Sequence, residues 1–417
     1  MPLPLYLLAL AVFAMGTSEF MLAGLLPDIA SDLGVTVGAT GSLTSAFAAG
    51  MVVGAPLMAG LARAWPARSA LLGFVLVFLA AHAAAAVTWS FPLLLATRVV
   101  AALAYAGFLA VALTTATALV APARKGRALA VLLSGTTAAM ITGVPAGAAL
   151  GTLSGWRATF WAVAVLCLPA AVGILGGVPA RGARTEQGDG PDLRAELAHL
   201  RSPRLAAAML LGALVNGATF AGFTFLAPVV TGVAGLGELW VSGVLVLFGA
   251  GSLLGAAVAG RWSDRRPGLV VAVCGPALLT GWCALAVLAD QPAALLALVG
   301  VQGVLSFALG GTLITRVLYA ASPAPTMAGS YATAALNAGA VAGPLLAAST
   351  LGTDAGPRGP LWASGFLVAA ALLLALPLRG AVTARRGREH DGDAPRAAGR
   401  ERLSGRPRRP GRAAGPG

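Results

Sequence analysis

Apolar runs of about twenty residues or more, separated by short polar turns, recur from the start of this chain to about residue 380. A helix rises about 1.5 Å per residue, so about 20 apolar residues cross the hydrocarbon core of a bilayer. In lipid the backbone must satisfy its own hydrogen bonds, which helices do within one segment. Runs are legible at 5–27, 39–62, 68–89, 91–120, 127–152, 157–178, 205–231, 237–260, 268–288, 291–318, 326–351 and 360–379. The chain is 58% apolar and 10% charged, with mean hydropathy +0.85. Soluble domains carry about 25% charged residues, so this composition excludes an ordinary soluble enzyme. The expected fold is an all-α integral membrane protein of twelve transmembrane helices.

Charge sets the expected orientation. With the N-terminus inside, the inner loops hold Arg63, Arg68, Arg124, Lys125, Arg127, Arg181, Arg261 and Arg266, among others. The outer loops hold only Arg157 and Arg358, with Asp28, Asp32, Glu238, Asp290 and Asp354. Positive residues stay on the cytoplasmic side, so both termini are expected there. The net charge of +13 sits in these loops and the C-terminal tail and implies no nucleic-acid partner. No cleaved signal is expected, because Glu19 interrupts the first run and no basic segment precedes it.

The polar stretch 179–204 divides the chain into six-helix halves, 1–178 and 205–380. Within it, Asp192 to Leu200 reads as a short surface helix. The Arg-, Gly- and Pro-rich tail 381–417 reads as disordered. The halves carry matching signals. Gly60 through Arg68 finds an echo in Gly260 through Gly268, Gly143-Val-Pro145 in Gly343-Pro344, and Leu26-Pro27 with Gly34 in Ala227-Pro228 with Gly235. One shared register implies an internal duplication, a common plan in secondary transporters. The two six-helix bundles should therefore be pseudo-symmetric. The steps Gly50–Gly54 and Gly251–Gly255 permit close helix approach.

Two deep residues are ionisable, Glu19 and Arg98. Intramembrane charge is costly and marks function by default. Glu19 lies eight residues before Pro27 and Arg98 seven after Phe91, which places them about 12 and about 10 Å below the same face. A pair between them is either a proton switch or a static bridge. Tyr105 shares the Arg98 face. Further stripes comprise Asn216, Phe220 and Phe223; Gln302 and Ser306; and Ser330, Thr333 and Asn337 with Tyr331 adjacent. Aromatic rings with isolated amides and hydroxyls suit an amphiphilic drug-sized ligand, and the same residues serve equally in helix packing. His82 reads as an interfacial side chain. Cys167, Cys274 and Cys283 fit no metal pattern. No phosphate-binding loop, nucleophile triad or cofactor motif is legible, so an enzyme or ATP-driven pump is not expected.

Gly16-Thr-Ser-Glu-Phe-Met-Leu-Ala-Gly-Leu-Leu-Pro-Asp-Ile-Ala30 resembles the first-span signature of twelve-span drug:proton antiporters of the major facilitator superfamily. Arg98-Val99 resembles the fourth-span motif, whose arginine is tied to proton coupling. Gly135 through Gly147, including Gly143 and Pro145, resembles the fifth-span antiporter motif implicated in gating, although Val144 stands where glycine usually precedes the proline. The loop motif between spans two and three has Ala64 in place of its aspartate, whereas its second copy keeps Gly260, Asp264, Arg265 and Gly268. Longer runs, including Leu132 through Thr137 and Thr312 through Ser322, resemble actinobacterial chloramphenicol exporters. The resemblance implies proton-coupled efflux of chloramphenicol or related amphenicols by a monomer, with small drugs, protons and lipid as partners. A broader multidrug or metabolite exporter, a uniporter and a transporter-like sensor are the alternatives.

Overall fold

The computed structural model describes residues 2–61, 65–121, 124–178, 198–324 and 327–377. They are helical throughout, apart from turns, and belong to one compact unit, Met1–Thr383. Ala64, most of the stretch 179–204 and the tail 381–417 lie outside the described residues.

Among the described residues, twelve helical segments are long and apolar enough to cross a membrane. They are Leu3–Gly24, Val37–Met58, Ala67–Val87, Phe91–Ala118, Lys125–Ser154, Trp156–Gly177, Pro203–Gly232, Leu239–Trp262, Pro267–Leu288, Pro292–Ala320, Ala328–Thr350 and Gly356–Ala375. These are numbered below as the first to twelfth spans. Large side chains such as Leu153, Val172, Phe366 and Leu373 point outward, the arrangement expected of a body solvated by lipid. Of the Asp192 to Leu200 helix only the end is described, where His199–Arg201 forms a 3-10 turn. His199 Nε2 lies 3.0 Å from the Ala320 carbonyl at the end of the tenth span.

Glycine sets the helix crossings, and it does so twice. Gly50 and Gly54 seat the second span on Val99, Ala102, Leu103 and Ala106 of the fourth. Gly251 and Gly255 seat the eighth span on Gly300, Val304 and Ala308 of the tenth. Lipid gives apolar helices no solvent-driven reason to associate, so close backbone approach supplies the packing. Gly143 abuts Thr17 of the first span, and Gly343 abuts Gly217 of the seventh. The first and seventh spans also end alike. Each breaks before a short helix, Leu26–Leu33 or Leu226–Gly232. Gly34 and Gly235 follow at φ 65° and 64°, left-handed values that favour glycine.

The short helix Leu26–Leu33 is latched at the end that carries Asp28, Asp32 and Glu238, here termed the acidic end. Arg157 pairs with Asp32 and donates through Nη2 to the Thr88 carbonyl at 3.0 Å. Its guanidinium sits 4.0 Å from the Trp89 ring centre and 4.2 Å from that of Trp156. Trp156 Nε1 also donates to Asp32, at 3.0 Å. The Arg157 hydrogen bond holds the Asp32 carboxyl below its usual range.

Two predictions follow from these contacts. A Cβ at Gly251 would strike the Gly300 carbonyl, whereas one at Gly73 would meet nothing within 4 Å. In detergent, Gly251→Ala should lose about 1–3 kcal/mol of stability while Gly73→Ala melts with the wild type. Asp32→Asn should melt earlier near neutral pH by an amount worth up to about 1 kcal/mol, because the pair is partly exposed. A depressed carboxyl stabilises above its unfolded value and ceases to do so as pH falls through its folded value. The gap should therefore shrink below about pH 4 and close on further acidification. Equal melting at neutral pH would contradict the latch.

Candidate transport site

The α-helix of the first span stops at Phe20 and continues as a 3-10 turn, Met21–Gly24. The last carbonyls of an α-helix lack intrahelical partners and attract cations. Arg98 of the fourth span fills that role. Its Nη2 donates to the Ser18 carbonyl and its Nη1 to Ser18 Oγ, each at 2.7 Å. The guanidinium also lies 4.5 Å from the Phe47 ring centre. Arg98 is 1% exposed, and its Nε has no partner.

The Glu19–Arg98 pair expected from depth is not formed. The two groups lie within electrostatic range of each other, but among the described residues no hydrogen bond or ion pair engages the Glu19 carboxylate. Glu19 is half-buried, next to a residue that Arg98 grips. Adjacent helix residues point about 100° apart, so depth alone does not separate Ser18 from Glu19.

His82 is not interfacial. It is 1% exposed, because its ring stacks on Phe78 at 4.1 Å, lies 5.8 Å from Phe160, and meets Ser18 Oγ at 2.6 Å through Nε2. Its Nδ1 meets the Phe78 carbonyl at 2.9 Å. Neither Ser18 nor His82 was legible as a partner of Arg98. The one signal was a histidine in an apolar run.

Tyr105 is buried, with its ring 6.3 Å from Phe47, which places Phe47 beside both Tyr105 and Arg98. Phe220 and Phe223 of the seventh span meet Phe20 at 5.7 and 6.3 Å, and Phe248 extends the cluster from Phe223 at 4.9 Å. Glu19 is thus the residue before an aromatic cluster that joins both bundles. Asn216 Nδ2 donates to the Leu336 carbonyl at 2.7 Å, and Asn337 Nδ2 to the Thr333 carbonyl at 3.0 Å. Each amide keeps its oxygen as a further acceptor.

Two expected cavity residues lie elsewhere. Gln302 is 0% exposed and donates to the Leu278 carbonyl at 3.2 Å, so it fills the crossing of the ninth and tenth spans. Tyr331 packs with Leu205, Val317 and Met327, far along the eleventh span from the aromatic cluster. Both side chains face neighbouring helices, a choice that sequence periodicity does not resolve when core and lipid are equally apolar.

The two bundles meet at one end. Ser45 Oγ donates to the Val341 carbonyl at 2.9 Å. Gly249 faces the Met140 carbonyl, Gly41 faces Phe225, and Gly38 faces Ala348. Among the described residues, every hydrogen bond, ring contact and close glycine contact between the bundles falls in the half of the spans nearer the acidic end. At that end a shallow recess of about 670 Å³ is lined by Asp28, Asp32, Thr152, Arg157 and Glu238. Burial pushes the Asp28 carboxyl up, and Glu238 adds to the effect.

The motif residues sit at bends and loop anchors. A π turn, Ala139–Gly143, precedes Pro145. It accommodates a proline that offers no N–H and crowds the preceding turn. The close approach to the first span is made by Gly135 on the Ala9 carbonyl and by Gly143 on Thr17, while Gly147 packs on Thr159. Gly343 and Pro344 are buried in the eleventh span. Tyr319 donates to Asp264 at 2.6 Å, and Arg316 Nη2 donates to the Ser263 carbonyl at 3.0 Å. These bonds tie the loop containing Asp264 and Arg265 to the tenth span, and Gly260 meets nothing within 4 Å. No group of three or more potential metal ligands converges among the described residues.

Comparisons with known proteins agree with this architecture. The Major Facilitator Superfamily model matches residues 8–334 and 244–410. A chloramphenicol resistance protein of Streptomyces lividans is 72% identical over 383 residues, covering 92% of this chain and 98% of the relative. The inner membrane transport protein YdhP of Escherichia coli K12 is 33% identical over 81% of this chain and 85% of its own length. Among solved structures, the nucleoside transporter NupG superposes with TM-score 0.72 at 14% identity, covering 91% of this chain and 99% of that one. A bacterial homologue of the lysosomal transporter Spinster, inward-facing and unoccupied, gives TM-score 0.68 at 16% identity, covering 91% and 96%. By family match and by identity over nearly its whole length, the chain is a transporter, not an enzyme, and belongs to the Major Facilitator Superfamily.

Proposed function

We propose that this chain exports chloramphenicol or a related amphenicol across the bacterial plasma membrane in exchange for protons. The substrate reading rests on the identity to the Streptomyces lividans resistance protein. The observation that carries the coupling is a buried, incompletely satisfied Arg98 beside a half-buried Glu19 at an aromatic cluster shared by both bundles. In this reading the acidic end is extracellular and closed, both termini are cytoplasmic, and the substrate enters from the arginine-rich side. The bundles 1–178 and 205–380 rock about the site within a single chain.

Chloramphenicol is neutral and carries a nitroaromatic ring, hydroxyls and an amide. Phe220 and Phe223 stack with the ring, and the free oxygens of Asn216 and Asn337 accept from its hydroxyls. Tyr105 closes the side of the cavity near Arg98. Gln302 and Tyr331 support helices that bear the site. Gly143, Pro145 and Gly147, with Gly343 and Pro344, form the bends about which the fifth and eleventh spans move. Gly260, Asp264 and Arg265 anchor the inner loop.

Glu19 changes partner through the cycle. As a carboxylate in this conformation it is drawn toward Arg98, which Ser18 holds back. When the outer face opens, a proton arriving from the acidic, positive side neutralises Glu19, releases that attraction and lets the substrate leave. Deprotonation on the inner side restores the charge. A carboxylate in an apolar site with a nearby cation is poised for this exchange.

Cells expressing the wild type should accumulate less labelled chloramphenicol than empty cells, and a protonophore should erase the difference. Glu19→Gln should accumulate as much as empty cells, with equal protein in the membrane. Wild-type accumulation equal to that of empty cells would overturn the substrate assignment, whereas full activity of Glu19→Gln would overturn the switch alone. Phe220→Ala should weaken export affinity by about 2- to 13-fold, the size of one aromatic contact. A panel of sugars, nucleosides and unrelated drugs separates an amphenicol exporter from a broader one.

A further inference from the structure

His82 completes a chain of hydrogen bonds whose direction follows once the imidazole is neutral. The Phe78 carbonyl only accepts, so His82 Nδ1, 2.9 Å away, carries a proton. Arg98 only donates, so at 2.7 Å its Nη1 uses a lone pair of Ser18 Oγ. The Ser18 hydroxyl proton is then free to point at His82 Nε2, 2.6 Å away, which accepts it when the imidazole is neutral. The order runs from Arg98 to Ser18 to His82 to Phe78. Both imidazole nitrogens are satisfied, whereas Arg98 Nε is not.

We infer that neutral His82 is a positioning residue for Arg98, acting through Ser18 to hold the guanidinium on the first-span carbonyl and off the Glu19 carboxylate. The inference rests on the proton-coupled function proposed above and names the group that sets its pH range. A second proton on His82 would turn Nε2 into a donor, reverse the Ser18 hydroxyl and place two cations across one oxygen. The groups that face His82 are Ser18 on the first span, Phe78 on its own span and Phe160 on the sixth. The charges nearby are Arg98 on the fourth span and Glu19, next to Ser18, and the buried Tyr105 of the fourth span lies within electrostatic range of Glu19.

Losing the acceptor on His82 lets the Ser18 hydroxyl rotate, turning its proton toward Arg98 and its lone pair away from the guanidinium. Arg98 then moves toward Glu19 and favours its carboxylate form. The readout is drug-driven proton movement by purified protein in liposomes, measured across pH with chloramphenicol as the probe. His82→Leu should move the half-maximal pH downward by about one unit, the scale of one charge-assisted hydrogen bond. Ser18→Ala should do the same. His82→Gln, which offers an amide oxygen near the Nε2 position, should keep the wild-type midpoint. A merely structural histidine would change yield or melting and leave the midpoint in place. If His82→Leu fails to reach the membrane, His82→Phe, which keeps a ring against Phe78 and Phe160 but offers no acceptor, carries the test. An unchanged midpoint in Ser18→Ala, with Glu19-dependent exchange intact in the wild type, overturns this inference and leaves the proposed function standing. Absence of drug-driven proton movement in the wild type overturns both.

Discussion

A cation held inside an apolar helical bundle is the constraint on which the rest of the site depends. Taking a guanidinium out of water costs several kcal/mol unless its protons find acceptors. Here the acceptors come from a backbone irregularity. The first span changes from α-helix to 3-10 turn after Phe20, and the carbonyl of Ser18 meets Arg98. The adjoining hydroxyl and the face of Phe47 supply the remainder. A carboxylate would satisfy the arginine more strongly, and Glu19 is the neighbouring residue. The arrangement therefore leaves Arg98 a second partner close at hand, the physical requirement for a switch.

Movement needs bundles that are rigid inside and separable between. Rigidity comes from glycine steps that let backbones touch, repeated at Gly50–Gly54 and Gly251–Gly255. Separability comes from confining the inter-bundle contact, made mainly by the second and eleventh spans, to small residues, one hydroxyl-to-carbonyl bond and a few rings in the half nearer the acidic end. The π turn and proline of the fifth span lie at this contact, since Met140 faces Gly249. Irregular backbone thus occurs where the bundles meet.

Much of this was legible beforehand. Apolar length gave the twelve spans to within a few residues, because a bilayer has one thickness. The paired Pro27/Gly34 and Pro228/Gly235 signals reflect turns that only glycine adopts easily, and both glycines do have φ near +65°. Depth counting placed Arg98 nearly level with Glu19. What periodicity did not resolve was azimuth. A membrane helix is apolar toward lipid and toward its neighbours alike, so nothing in the pattern shows which face looks into the cavity. Gln302 and Tyr331 turned to neighbouring helices for that reason, and Arg98 met Ser18. His82 went unrecognised because its partner Ser18 lies 64 positions away in sequence, and Ser18 is in turn 80 positions from Arg98.

In the proposed cycle, drug and proton cross in opposite directions through one site containing Glu19. The most direct measurement places purified protein in liposomes with a pH-sensitive dye inside and imposes a chloramphenicol gradient. The account predicts that drug flowing down its gradient drives protons the other way, at a rate that depends on drug concentration and vanishes in Glu19→Gln. Drug flux through wild-type protein with no accompanying proton movement would contradict it.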